Sequence, residues 1–410
     1  MHQDKSTTHN FHARNYPLRV HAGDNALAEL SRELLRVGAS RALILCGRSV
    51  HQRTDLTRRI ETLAGGRVAG IFSGISEGAP AESIEEAAAK AREIEADALI
   101  AVGAGSVIKG ARVVAMLLGE NRPLLEMATV HPENAPAQSR RLESPKMPIF
   151  NVLTSPTSAQ NRGGSAVRYK GEAHHLEFFD PKTRPRAVFW DSGALATAPL
   201  TLARSTSFEI YWWGLMCMGT VRTVNPLAQA SRRHAWQLAR QAYPGLGGEG
   251  SDAALIDMCA AGLLQNRDEE DGGRPWSCHL LARAAYASAV AVFNHYEGMT
   301  QPRGYAAFAP AMIRALGTCV PDVTRELGEA LDLRLPEAGA DLAEQVAAHV
   351  ERDFQALGWR TDLHDCGIPA ADAPALLALA LRNFNANHDR LLDAHRDEML
   401  VAIARTLAPQ

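Results

Sequence analysis

Between Arg19 and Asp191 the chain repeats one unit, a short apolar run followed by an amphipathic helical stretch, and after Leu200 the repeat stops. The apolar runs are Ala42-Leu-Ile-Leu-Cys46, Val68-Ala-Gly-Ile-Phe72, Ala98-Leu-Ile-Ala-Val102, Ile149-Phe-Asn-Val-Leu153 and Ala187-Val-Phe-Trp190. Strands alternating with helices predict a parallel sheet with helices on its faces. Helical patterns run from Asn25 to Val37 and from Ala81 to Glu95. The second follows Pro80 and carries Ile84, Ala87, Ala88, Ala91 and Ile94 on one face. Beyond Leu200, alanine, leucine and arginine dominate, and caps and proline or glycine breaks delimit about eight helices. The expected architecture is an α/β domain over 1–195 followed by an all-α domain over 196–410. Two polar stretches, Val130 to Lys146 and Asn266 to Arg274, read as surface loops, with the acidic Asp268-Glu-Glu-Asp271 solvated.

With 410 residues and 46% hydrophobic content, the chain can fill two sizeable cores. A formal net charge of −3 leaves no basic field, which argues against wholesale nucleic-acid or membrane-surface binding. The six cysteines (Cys46, Cys217, Cys259, Cys278, Cys319, Cys366) form no Cys-x-x-Cys pair, as expected of reduced thiols rather than a disulfide framework or a zinc knuckle. No apolar run approaches a membrane span. Met1 to Tyr16 has no apolar core of a signal peptide, so the expected location is the cytoplasm.

The chemistry concentrates first in the stretch from Ala98 to Arg112. Leu99 to Val102 reads as a buried strand, Gly103 and Gly105 permit a tight turn close to a ligand, and Ser106 stands where a helix N-cap is expected. Free N–H groups and partial positive charge at a helix N-terminus suit a pyrophosphate. The dinucleotide fingerprint Gly-x-Gly-x-x-Gly is nearly met, with Gly110 falling later than the third glycine should. By itself the turn reads as a phosphate cradle, with a plain strand-to-helix connection as the alternative.

Three anchors identify a relationship. Gly103-Ala-Gly-Ser106 is similar to the Gly-Gly-Gly-Ser turn of the iron-containing alcohol dehydrogenase superfamily, and Leu153-Thr-Ser155 to its Pro-Thr-Thr turn. Asp180-Pro-Lys-Thr-Arg-Pro-Arg-Ala-Val-Phe-Trp-Asp191 resembles the stretch leading into that family's last strand. Their order and spacing most resemble the maleylacetate reductase-like branch. The resemblance implies the dehydroquinate synthase-like fold, in which a dinucleotide-binding α/β domain precedes a helical substrate domain, with NAD or NADP in the cleft between them. It also implies a homodimer. The pyrophosphate would lie on Gly105 and Ser106, next to Gly103, with Thr154, Ser155 and Ser158 near the ribose and nicotinamide. Each of these hydroxyls also reads as an ordinary turn residue. Where the family often has an acidic residue for the adenosine ribose, this chain has Gly47 followed by Arg48, which permits a 2′-phosphate and hence NADP. The family's Asp and Lys after the glycine turn are matched by Lys109 and Arg112. Lys109 reads either as a solvent-facing helix residue or as added charge near a phosphate.

The family's metal centre has no full counterpart. Metal-bearing members use an Asp and a His at i and i+4 on the first helix of the second domain, a spacing that points both at one centre. The matching residues are Glu209 and Trp213, beside Trp212, and an indole has no lone pair to give. The third ligand position matches His279, the relay histidine Arg283, and the last ligand Arg303. One carboxyl and one imidazole are too few for a closed site, so no metal is expected. An alternative set of Glu209, His279 and His295 arises if residues 296 to 303 are an insertion, although His295 also reads as a surface or core histidine. The site so inferred, Glu209, Trp213, His279, Arg283 and Arg303, suits a small anionic carbonyl substrate. His279 is the expected proton donor opposite a nicotinamide hydride. Two other readings stay open: a synthase or lyase that uses NAD(P) transiently or not at all, and an inactive binding or partner protein.

Overall fold

The structure, a computed structural model, describes residues 9–130, 132, 138–170, 175–272, 278–335 and 339–408. All five expected strands form: β2 (Ala42–Cys46), β3 (Val68–Phe72), β4 (Ala98–Gly103), β5 (Ile149–Leu153) and β8 (Ala187–Asp191). With β1 (Arg19–Gly23) they make one parallel sheet ordered β1-β8-β5-β4-β2-β3. The strand β1 lies at the edge and was hidden in the sequence, since Arg19-Val-His-Ala-Gly23 carries polar side chains that bond Glu33. A two-stranded antiparallel sheet, β6 (Gly164–Val167) with β7 (Leu176–Phe179), was also not anticipated.

The central strands read as unbroken apolar runs because helices cover both faces. One face sets Ile44, Ile100, Phe150 and Phe189 against Leu27, Leu30, Leu56 and Ile60. The other sets Leu45, Leu99, Leu153 and Trp190 against Ile84 and Ile108 and continues into the helical half through Phe208, Trp212 and Tyr305. Among its described residues that half holds ten α-helices from Leu200 to Leu407 and no strand.

Several expectations need correcting. The stretch from Asn25 opens as a 3-10 turn, Ala26–Glu29, before the α-helix Leu30–Arg36, and the helix from Ala81 ends at Glu93. The acidic run at 268 is not a solvated loop: the Ser251–Glu270 helix continues through it, and Asp268 is buried in a two-bond pair with Arg232. Arg232, on the Pro226–Ala242 helix, supplies the charge that makes this burial tolerable. The polar stretch from Val130 lies partly outside the described residues, and its last residue, Lys146, is buried on Glu120.

Candidate active site

The strand order fixes where a ligand can sit. From β2 the chain leaves toward β3 at one edge, and from β4 toward β5 on the other side, so a crevice opens between the carboxyl ends of β2 and β4. Gly47 follows β2 there and Gly103 closes β4. A Cβ on Gly103 would lie 2.7 Å from Val107 Cγ2, so only glycine lets the next helix start at once. That helix, Gly105–Glu120, is capped by Ala104 without any side-chain bond, leaving its first N–H groups to a ligand. Ser106 is therefore not the N-cap. It sits in the first turn, and its Oγ accepts the Gly78 N–H at 3.1 Å. Arg48 is exposed at the start of the Arg48–Arg53 helix, with Gly47 as its cap.

The segment after β5 bridges the two halves. Thr154 N–H donates to Gly103 O at 3.3 Å, Ser155 Oγ is 2.6 Å from Thr206 Oγ1, and Ser158 Oγ donates to Glu209 Oε1 at 2.7 Å. Thr206 and Glu209 lie on the Leu200–Met218 helix. Glu209 thus stands one hydroxyl away from the segment expected to hold a nicotinamide ribose.

Around Glu209 the structure gathers aromatic rings. Trp213, one turn on, packs on Trp212 and on Tyr286, with ring centroids 4.7 and 5.8 Å apart. Tyr305 stacks on Trp212 at 4.1 Å and 4° and approaches Tyr286 at 6.2 Å. Trp212 is fully buried, so it backs Tyr305 rather than lining a pocket. Burial, and the charge of Glu209, hold both phenols protonated well above the ordinary tyrosine range. Glu177, on β7, faces the same cluster: it takes the Asn385 Nδ2–H at 3.1 Å, and burial pushes its carboxyl up to about 7. Lys109 looks toward Glu209 from the glycine-turn helix, and burial lowers its ammonium below the ordinary lysine range.

The other expected site residues go elsewhere. His279 caps the Leu280–His295 helix, with Nδ1 accepting the Ala282 N–H at 3.3 Å and Nε2 donating to Met216 O at 2.7 Å. Met216 lies seven residues beyond Glu209, about 10 Å along the helix. Both ring nitrogens are committed to backbone, the one N–H of the neutral ring lies on Met216 O, and burial brings the imidazole down to about 4. Arg283 turns away to Asp389 and to Ala386 O. Arg303 bonds Arg360 O and Asp365. His295 is exposed at its helix end against Tyr296. The alternative set Glu209, His279 and His295 does not converge, and among the described residues no three His, Cys, Asp or Glu side chains do. Tyr286, three residues past Arg283, and Tyr305, two past Arg303, lie near Glu209 while those arginines do not. A lone tyrosine in the alanine-rich Leu280–His295 helix was the available signal.

Residues 17–192 match the family model described as iron-containing alcohol dehydrogenase. The maleylacetate reductase of Pseudomonas knackmussii is 39% identical over 191 residues, 47% of this chain and 45% of that protein. The N-terminal half of the chain is thus similar to the iron-containing alcohol dehydrogenase family, and the chain spans about half the length of the curated relatives it matches. Within that family, the maleylacetate reductases are the relatives the N-terminal half resembles, over less than half of that relative's length. The fold extends further than the sequence match. A 1,3-propanediol oxidoreductase aligns with 97% of this chain and 100% of its own, at TM-score 0.79 and 17% identity. The sulfoacetaldehyde reductase of Bifidobacterium kashiwanohense, solved in complex with NAD+, aligns with 97% and 100%, at TM-score 0.75 and 14% identity. A nicotinamide cofactor fits the glycine turn, whose helix starts without a side-chain cap. The iron that the superfamily's name implies does not fit the donors here, because Glu209 is surrounded by Ser158, an indole and two protonated phenols.

Proposed function

We propose that the protein is an NAD(P)-dependent, metal-independent oxidoreductase that reduces a carbonyl, or oxidises the matching alcohol, on a small carboxylate-bearing molecule. The observation that carries this reading is the uncapped N-terminus of the Gly105–Glu120 helix at the sheet's crevice, joined to Glu209 through Ser158. The names of the maleylacetate reductase relatives support the carbonyl and carboxylate. When bound, a nicotinamide supplies or takes the hydride. Gly105, Ser106 and Thr154 would position it, and the absence of an acidic side chain at Gly47-Arg48 admits NADP as well as NAD. Ser158 holds the Glu209 carboxyl in place, while Trp213 and Tyr286 keep water from the reacting face. The phenols of Tyr286 and Tyr305, held protonated, can donate hydrogen bonds to a substrate oxygen.

The reading extends to a cytoplasmic homodimer. Among the described residues no helix is long and apolar enough to cross a membrane. Purified protein should quench or shift nicotinamide fluorescence with NADPH or NADH, oxidise it with a keto acid or aldehyde from a panel, and contain less than stoichiometric iron and zinc. Failure to bind either cofactor sinks the oxidoreductase reading, and a stoichiometric ion sinks the metal-independent part.

A further inference from the structure

Lys109 sits at i+4 from Gly105 and i−3 from Arg112, so the three share one face of the glycine-turn helix. What covers that face is known on both sides. A Cβ on Gly105 would lie 3.4 Å from Thr157 Oγ1, and Arg112 donates to Ala159 O at 2.7 Å and to Gly164 O. Lys109's own carbonyl takes the Ser165 hydroxyl at 3.0 Å. The face is thus laid against residues 157 to 165, the segment whose Ser158 bonds Glu209.

Lys109 is half-buried, and its ammonium has three donors. Among the described residues, nothing takes a hydrogen bond or ion pair from Lys109. The charges acting on it are Glu209, which favours the ammonium, and Arg112, which opposes it. A donor without a protein partner, one turn below the cofactor cradle and on the helix face toward the segment whose Ser158 bonds Glu209, is placed to meet a ligand oxygen.

We propose that Lys109 is the catalytic residue that holds the substrate's carbonyl oxygen and gives it a proton, supplying the positive charge that a metal ion would otherwise bring. The inference rests on the oxidoreductase reading above. Hydride passes from C4 of the reduced nicotinamide to the carbonyl carbon, and the C=O π pair moves to oxygen. An N–H bond of the Lys109 ammonium breaks as the new O–H bond forms. The nicotinamide is oxidised, the carbonyl carbon is reduced, and the neutral amine regains a proton from water. Preorganised charge at a developing alkoxide is among the largest contributions an active site can make.

The test uses oxalate, whose carboxylate oxygens imitate the developing alkoxide, in calorimetric titration of the full chain with Lys109→Met and Lys109→Arg variants. Wild-type protein should bind oxalate, Lys109→Met should weaken it at least tenfold, and Lys109→Arg should stay within about threefold. NAD(P)H fluorescence should be unchanged in both variants, and turnover should fall at least a hundredfold in Lys109→Met. No oxalate binding by wild type, or equal binding by Lys109→Met when its thermal unfolding matches wild type, overturns the proposal. Loss of NAD(P)H binding in wild type would instead fall on the oxidoreductase reading, since oxalate binding needs no cofactor.

Discussion

At the residue scale, His279 shows how a residue type suited to chemistry is consumed by structure. Its two nitrogens join the ends of two helices, through Met216 O and Ala282 N–H, and the ring is buried neutral. This has a consequence for stability. The folded imidazole titrates near 4, against an ordinary 6.5, so between those values the unfolded chain binds the proton more tightly. Stability is intact above pH 6.5 and declines as pH falls toward 4, by up to about 3 kcal/mol from this one group. His279→Asn should flatten that decline, read as the difference between urea midpoints at pH 7 and pH 5. An unchanged difference would show that another group carries the acid sensitivity. Gly103 is the opposite case, a residue whose meaning was legible before the fold. A strand that must become a helix within two residues needs a position without a side chain, and Val107 occupies the space a Cβ would take.

At the scale of elements, the strands were easier to read than the helices' contents. Four buried strands announce themselves as apolar runs because both faces are covered, and the apolar edge strand β3 reads the same way, whereas the edge strand β1 and the β6–β7 hairpin are short and half polar. The acidic run from Asp268 was misread because the charge that balances it lies on another helix, at Arg232. Removing one partner of this pair strands the other in an apolar interior. Asp268→Ala should cost about 3–5 kcal/mol in urea unfolding, and adding Arg232→Met should recover much of the loss. If the double variant were as unstable as the single one, the pair's role would be packing and not charge.

Over the whole molecule, the apolar core on one face of the sheet runs without a break into the helical half, from Ile108 and Trp190 to Trp212 and Tyr305. Ser155–Thr206 and Ser158–Glu209 add polar ties across the same junction. The two halves should therefore unfold together, with far-ultraviolet circular dichroism and tryptophan fluorescence following one urea transition. Two separated transitions would mean that the junction is weaker than its burial suggests. The same junction explains what could be read in advance. Sequence alone was enough for the parallel sheet, the glycine turn at its centre and the helical second half, because each is a local pattern set by strand burial, backbone space or helical periodicity. Only the tertiary structure decided which side chains meet. Which side chains face each other depends on helix register and on insertions, so Tyr286, Tyr305 and Lys109 lie about Glu209, with Glu177 beside Tyr286, while His279, Arg283 and Arg303 are turned into structural bonds.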